Sequence, residues 1–268
     1  MRFISTLLFI TLSTRKNIFS TRRTLRMSST TEATTADSLT FLSQICGALK
    51  RIKRTGWVRH NIPLPESDSD HMHRCAMCAM LVTSQPPHPQ DDYSSNSNNQ
   101  KFHPSNINSM KLIKMAVSHD LCESIAGDIT PFCNADVVAS KYDKEKAAME
   151  EIRKIVGDPL GLELFELWKE YEEQESIEAI YCKDIDKFEM VMQAYEYEEQ
   201  HLGQNKKNNI IEEDNDSDIT PLRSFFITTN DKMKSPLFRR LDAELRQKRE
   251  ALLIERGWEV LPEERQNY

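Results

Sequence analysis

The sequence predicts an all-α protein built as a single helical bundle, and three observations point that way. Only seven of 268 residues are glycine, against a composition rich in Glu, Lys, Leu, Met and Ala, which leaves few tight turns and favours long helices. Apolar residues recur at helical spacing along most of the chain. No segment alternates with the period of a strand, and no internal repeat is visible. A hydrophobic fraction of 39% over this length supplies one sizeable core.

The opening MRFISTLLFITLSTRKNIFSTRRTLRMSSTT carries Arg2, Arg15, Lys16, Arg22, Arg23 and Arg26 and no acid. Basic, Ser/Thr-rich and acid-free, residues 1–35 read as an organelle transit peptide or a disordered N-terminus, which implies a mitochondrial or plastid protein. Its apolar run is too short to span a bilayer. A start at Met27 would leave a cytoplasmic protein instead. The body of the domain is expected over residues 36–258, with 259–268 as a tail.

From Ser38 to about Ile52 the residues Leu42, Ile45, Leu49 and Ile52 share a helical face, and RTGWVRHNIPLPESDSD then forms a loop. The second helix, in DHMHRCAMCAMLVT, buries His71, Cys75, Cys78 and Val82, with Ser69 or Asp70 as its N-cap. Residues 83–107 are polar and rich in Asn, Ser and Pro, so they are expected to form a disordered surface insertion, with His88 and His103 idle inside it. A third helix is expected from about Asn108 to Ala126, turning Leu112, Ala116 or Met115, and Val117 inward before Gly127 stops it. Helix four, about Lys141 to Val156, buries Met149, Ile152 and Val156; Pro159 starts a fifth with Leu160, Leu164, Leu167, Trp168 and Tyr171. A sixth runs from about Ser176 to Tyr197, and residues 201–220 read as a second disordered polar insertion. A last amphipathic helix after Pro236 aligns Leu237, Leu241, Leu245 and Leu252 as core or as a contact surface.

Beyond residue 31, 29 basic residues face 42 acidic ones, a net charge near −13. Such a surface repels phosphate polymers, so a nucleic-acid polymer is not the expected partner, and no membrane span is expected. The partner should be small. Six cysteines, Cys46, Cys75, Cys78, Cys122, Cys133 and Cys182, show no close-spaced framework and read as reduced thiols, the single C-x-x-C of Cys75 and Cys78 as buried small side chains.

Chemistry concentrates in SHDLCESIAGD. On a helix His119 and Glu123 lie one turn apart while Asp120 sits about 100° round the axis, so one cation between those directions could touch both His119 and Asp120. Imidazole with carboxylate suits Mn²⁺, Co²⁺, Fe²⁺, Zn²⁺ or, less well, Mg²⁺. His71 heads an apolar stripe, where an unpartnered polar side chain is costly, and is the natural third ligand. Periodicity favours Asp184 as the fourth but does not decide between it and Asp186.

The order His71, then His119-Asp120, then a distant Asp resembles the H…HD…D signature of the HD-domain metal-dependent phosphohydrolases. The stretches LKRIKRTGWVRHNIPLPESDSDH, KLIKMAVSHDLCESIAGDI and CKDIDKFEMVMQAYEYE resemble its 5′-deoxynucleotidase subfamily over most of residues 38–200. That resemblance implies an HD-domain bundle that hydrolyses deoxyribonucleoside 5′-monophosphates with a divalent cation, and often pairs as a homodimer. It implies His71, His119, Asp120 and Asp186, the last in KDID, as metal ligands. Glu123 and Asp128 would sit at the substrate and attacking water, or bind a second ion, and Arg54 and Trp57 would grip phosphate and pack on the sugar. The basic group on phosphate stays open among Arg51, Lys53 and Arg54, and Trp57 reads equally as a loop anchor. Rival readings are a triphosphohydrolase or phosphodiesterase, which would need more basic residues, and a non-catalytic nucleotide-binding HD protein, which the filled ligand positions disfavour.

Overall fold

The computed structural model describes residues 35–94, 97–204 and 219–265. The predicted transit peptide and the interior of the second insertion fall outside them. Twelve α-helical segments are described: α1 (Thr35–Thr40), joined through a π-helical turn at Phe41–Ile45 to α2 (Cys46–Leu49), α3 (Thr55–Arg59), α4 (Asp68–Ser84), α5 (Ser109–Ser118), α6 (Glu123–Ala126), α7 (Ala135–Ala139), α8 (Lys141–Val156), α9 (Leu160–Glu173), α10 (Ile177–His201), α11 (Arg223–Thr229) and α12 (Pro236–Glu255). The fold is all-α, with no strand among the described residues and two isolated bridges, Lys53 to Ser67 and Leu202 to Ile219. None of the described helices is long and apolar enough to cross a membrane.

The 25-residue α10 is the central post, packed by α4, α5, α9, α11 and α12. Around it Trp57, Cys75, Leu112, Met115, Ile185, Phe188, Phe226 and Phe238 form the main core. A second cluster of Leu49, Met72, Leu121, Met149, Ile152 and Trp168 joins α2, α8 and α9 to the turn after α5. Burying such side chains contributes roughly 1.5–3 kcal/mol each, so helical register is dictated by which residues face α10.

Local sequence sets the helix ends. The α4 cap is Ser67, in a reciprocal box with Asp70, rather than Ser69 or Asp70: the Asp70 carboxylate takes the Ser67 backbone N–H at 2.8 Å while the Ser67 hydroxyl accepts from Asp70 N–H. Asn108 and Ser176 cap α5 and α10.

Four expectations are corrected. The helix begun at Asn108 does not continue to Ala126: it breaks after Ser118, and residues 119–122 form a tight turn before α6. In that shorter helix Val117 is half exposed, while Leu112, Met115 and Ala116 are buried. Residues 83–107 are not a detached insertion. Phe102 and Ile107 enter the core, the Tyr181 hydroxyl donates to the Phe102 carbonyl at 2.8 Å, and Asp91 pairs with Arg240. Two apolar residues in a polar stretch suffice to anchor it, a signal that composition averages away. The loop between the first two predicted helices contains α3, whose Trp57 is among the most buried side chains.

The α12 stripe is core: Phe238, Leu245, Leu252 and Leu253 are buried, and Leu237 and Leu241 pack against the main cluster. Between them lies a buried polar seam. Arg249 binds Glu198 at 2.6 Å and Glu264 at 2.9 Å; Arg246 binds Asp242 and the Phe226 and Glu264 carbonyls. The seam ties residues 261–265, read as part of a tail, to α10, α11 and α12.

Candidate metal and phosphate site

Two helices and a turn converge on α10. His71 comes from the first turns of α4, His119 and Asp120 from the turn after α5, Glu123 from α6, and Asp186 from the middle of α10. The break at Ser118 matters here, because a continuous helix would spread residues 119–123 round its axis, whereas the turn gathers them at one end of the bundle. Gly127, at φ 77°, then reverses the chain so that Asp128 faces the same space.

Both imidazoles are held from behind. The Glu189 carboxylate takes the Nδ1–H of buried His71, and its other oxygen accepts from Arg74 Nε at 2.8 Å. His119 Nδ1 donates to the Ala116 carbonyl at 3.0 Å. With Nδ1 committed as donor, each ring turns its Nε2 to the site. There each Nε2 meets carboxylate oxygens. His119 Nε2 stands 3.2 Å from Asp120 Oδ2, and His71 Nε2 lies 3.4 Å from Asp186 Oδ1 and 3.7 Å from Asp120 Oδ2. His119 Nε2 is buried without a hydrogen-bond partner.

Imidazole nitrogen and carboxylate oxygen at these distances need a proton or a metal cation between them. Ligands about 2.1 Å from a divalent ion lie roughly 3.0 Å apart at right angles and about 4.2 Å apart when opposed, and the observed separations fall in that window. Two imidazoles and two carboxylates therefore fit a divalent transition ion. The carboxylates are charged as ligands must be. Against the opposing effect of burial, His119 and then Arg54 hold Asp120 below the ordinary carboxyl range. Against burial likewise, the His71 hydrogen bond holds Asp186 well below it. Asp186 also accepts the Tyr171 hydroxyl at 2.7 Å. Cys75 lies 3.7 Å from His71 Nε2, but burial pushes its thiol up to about 12, so it remains a neutral neighbour.

Asp184, the candidate that periodicity favoured, serves elsewhere. Its two oxygens accept the backbone N–H groups of Lys234 and Ser235 at 2.6–3.0 Å, which fastens the start of α12.

The remaining candidates line the space in front. A cavity of about 220 Å³ is bounded by Arg54, His119, Asp120, Glu123, Asp128 and Asp186 among others. Arg54 Nη1 lies 3.2 Å from Asp120 and 3.8 Å from Glu123, whereas Arg51 and Lys53 are exposed. Asp128 Oδ2 accepts the Thr55 N–H at 2.6 Å, orienting the start of α3 beside Arg54. Burial first, and Asp120 second, push Glu123 well above the ordinary carboxyl range, and its Oε2 has no hydrogen-bond partner. Trp57 is an anchor: its indole N–H donates to Glu66 at 2.8 Å and its ring meets Phe225 at 4.4 Å and Tyr197 at 5.3 Å. The tryptophan also lines a mostly apolar cavity of about 180 Å³ that shares Arg54, Asp128, Thr130, Pro131 and Met190 with the first. Gly56 sits close in this contact: a Cβ there would stand 3.2 Å from the Phe225 ring, which would have to shift by a few tenths of an ångström.

Sequence reasoning missed Glu189, Tyr171 and Asp68. Glu189 follows Asp186 by three residues on α10, which was a usable signal for a partner of the same histidine. Tyr171 sat in an apolar stripe and gave none. Asp68, fully buried with both oxygens unpartnered, has its carboxyl pushed up to about 7 by burial; it was hidden among the polar residues of SDSD.

The HD domain family model matches residues 46–94 and 97–221. The chain is 42% identical over 203 residues to the 5′-deoxynucleotidase HDDC2 of Dictyostelium discoideum, a match covering 75% of this chain and 93% of that protein. It is 39% identical over 164 residues to the protein of the same name from Homo sapiens, covering 61% and 70%. Among solved structures, a conserved hypothetical protein from Pyrococcus furiosus aligns with a TM-score of 0.51 at 27% identity, covering 76% of this chain and 96% of that one.

Proposed function

The chain belongs to the HD-domain family, and on that premise we propose that it is a divalent-metal-dependent 5′-deoxynucleotidase, releasing phosphate from deoxyribonucleoside 5′-monophosphates. The observation that carries this reading is the convergence of the His71 and His119 Nε2 atoms on the carboxylates of Asp120 and Asp186, at separations that a shared divalent ion would set. The names of the relatives support the substrate class.

His71, His119, Asp120 and Asp186 would hold the ion, Mn²⁺, Co²⁺ or Mg²⁺ being the expected occupants and Zn²⁺ or Fe²⁺ rivals. When bound, such an ion acidifies water and withdraws charge from a phosphoryl oxygen. Glu123, raised by burial and beside Asp120, orients the attacking water and carries its proton towards the departing 5′-oxygen. Asp128 either aids that water or joins Glu123 on a second ion. Arg54 turns from Asp120 and Glu123 to the phosphate, where a guanidinium offers paired donors. Trp57 holds α3 and borders the apolar cavity in which the nucleoside would lie.

The test is a panel of ribo- and deoxyribonucleoside mono-, di- and triphosphates and cyclic nucleotides, each with defined metals, scored for free phosphate. Release from deoxyribonucleoside monophosphates alone supports the reading, while a preference for triphosphates or cyclic nucleotides overturns it. Homodimerisation and organelle import through residues 1–31 belong to the same proposal, tested by sedimentation and by localisation of an N-terminal reporter fusion.

A further inference from the structure

Four cations line the 220 Å³ cavity: Arg54, Lys141, Lys183 and Lys187. Three have partners. Arg54 meets Asp120, Lys141 meets Glu145 at 3.4 Å, and Lys183 meets Glu172 at 3.1 Å while its ammonium stands 3.5 Å from the Tyr171 ring centroid. Lys187 has no ion-pair or hydrogen-bond partner among the described residues.

The carboxylates beside it on α10, Asp184 and Asp186, attract it at a distance but make their hydrogen bonds elsewhere. Asp184 is saturated by the Lys234 and Ser235 backbone N–H groups, and Asp186 faces His71 and the Tyr171 hydroxyl. Lys187 is half-buried, follows the ion-site aspartate by one residue and precedes by three Met190, a wall of both cavities. It lines the ion-site cavity, which shares Met190 with the apolar cavity, and under the proposed function the phosphate and 5′-oxygen of a monoester lie there.

We infer that Lys187 is a substrate-binding residue that contacts the phosphate of the monoester, working with Arg54. The inference rests on the phosphohydrolase reading above. A phosphate dianion entering beside Asp120, Asp128 and Asp186 needs a positive group not already held in a direct ion pair, and Lys187 is the lining cation that forms none among the described residues.

The experiment compares wild type with Lys187→Met and Lys187→Arg, using thymidine monophosphate with saturating Mn²⁺ and inorganic phosphate as competing product. Expected for Lys187→Met are a KM raised about tenfold, phosphate inhibition weakened by a similar factor, kcat within about threefold of wild type, and rescue by Lys187→Arg. Unchanged KM and phosphate inhibition would overturn the assignment. So would a loss of kcat with lowered thermal stability in both variants, the mark of a structural lysine. If wild type itself releases no phosphate, the enzymatic reading fails; calorimetric binding of inorganic phosphate to the Mn²⁺-loaded proteins then decides Lys187 separately, equal affinity in wild type and Lys187→Met refuting it.

Discussion

Replacing Glu189 by Gln probes the cation site from behind without touching a ligand. One oxygen of Glu189 takes the His71 Nδ1–H and the other takes Arg74 Nε–H at 2.8 Å, and the carboxylate is wholly buried. Its pKa lies below the usual range because His71, and then Arg74, outweigh the opposing effect of burial. A glutamine has one acceptor and one donor end, so either His71 or Arg74 must face an N–H. Losing one charge-assisted hydrogen bond costs about 1.5–3 kcal/mol, and leaving a buried donor unsatisfied costs roughly 1–3 kcal/mol more. If His71 changes tautomer to relieve the clash, its Nε2 gains a proton and ceases to be a ligand. The expected result is an apo-protein melting roughly 6–12 °C lower, with Mn²⁺ affinity by calorimetry reduced about 10–100-fold. Phosphate release should recover in part at high metal concentration. Mn²⁺ affinity within twofold of wild type would refute the view that Glu189 orients a metal ligand.

His119→Ala or Asp120→Ala should abolish phosphate release and leave less than one equivalent of tightly held metal by elemental analysis, with helix content by circular dichroism unchanged; retained turnover removes the ligand assignment. Arg249→Met leaves the carboxylates of Glu198 and Glu264 uncompensated in the α12 seam and should destabilise by about 3–5 kcal/mol in urea unfolding, far from the cavity. Glu66, half-buried, has its carboxyl raised to about 7 by burial first and Glu189 second. The folded state therefore favours its protonated form, so its contribution to stability is full below the unfolded value of about 4.3 and is lost as pH rises through about 7. Glu66→Gln, which keeps the acceptor for Trp57, should match wild type at about pH 4 and unfold at higher denaturant than wild type at about pH 8; a gap of the same size at both values would contradict the assignment.

The helical period of α4, α8, α9 and α10 was legible because each buries one face against a neighbour, and that face is written every three or four residues. His71, His119 and Asp120 stood out as polar groups where an apolar face was expected. The break after Ser118 was not legible, since Leu121 and Ala126 continue a helical pattern that the turn merely interrupts. Phe102 and α3 were hidden for the opposite reason: a lone aromatic in a polar stretch has no period, and its burial depends on a surface supplied by α10.

What the sequence determined by itself is the all-α class, the central helices, and a short roster of imidazoles and carboxylates able to bind a cation. Tertiary structure alone decided how they are shared out. Asp184 and Asp186 are two residues apart with equal chemistry, yet one caps α12 and the other faces His71. Likewise Glu189 became a brace for His71, and Lys187 the cavity cation with no direct ion pair among the described residues. A side chain's type is local, but its role follows from what packs opposite it, and those partners here lie 50 to 118 residues away along the chain.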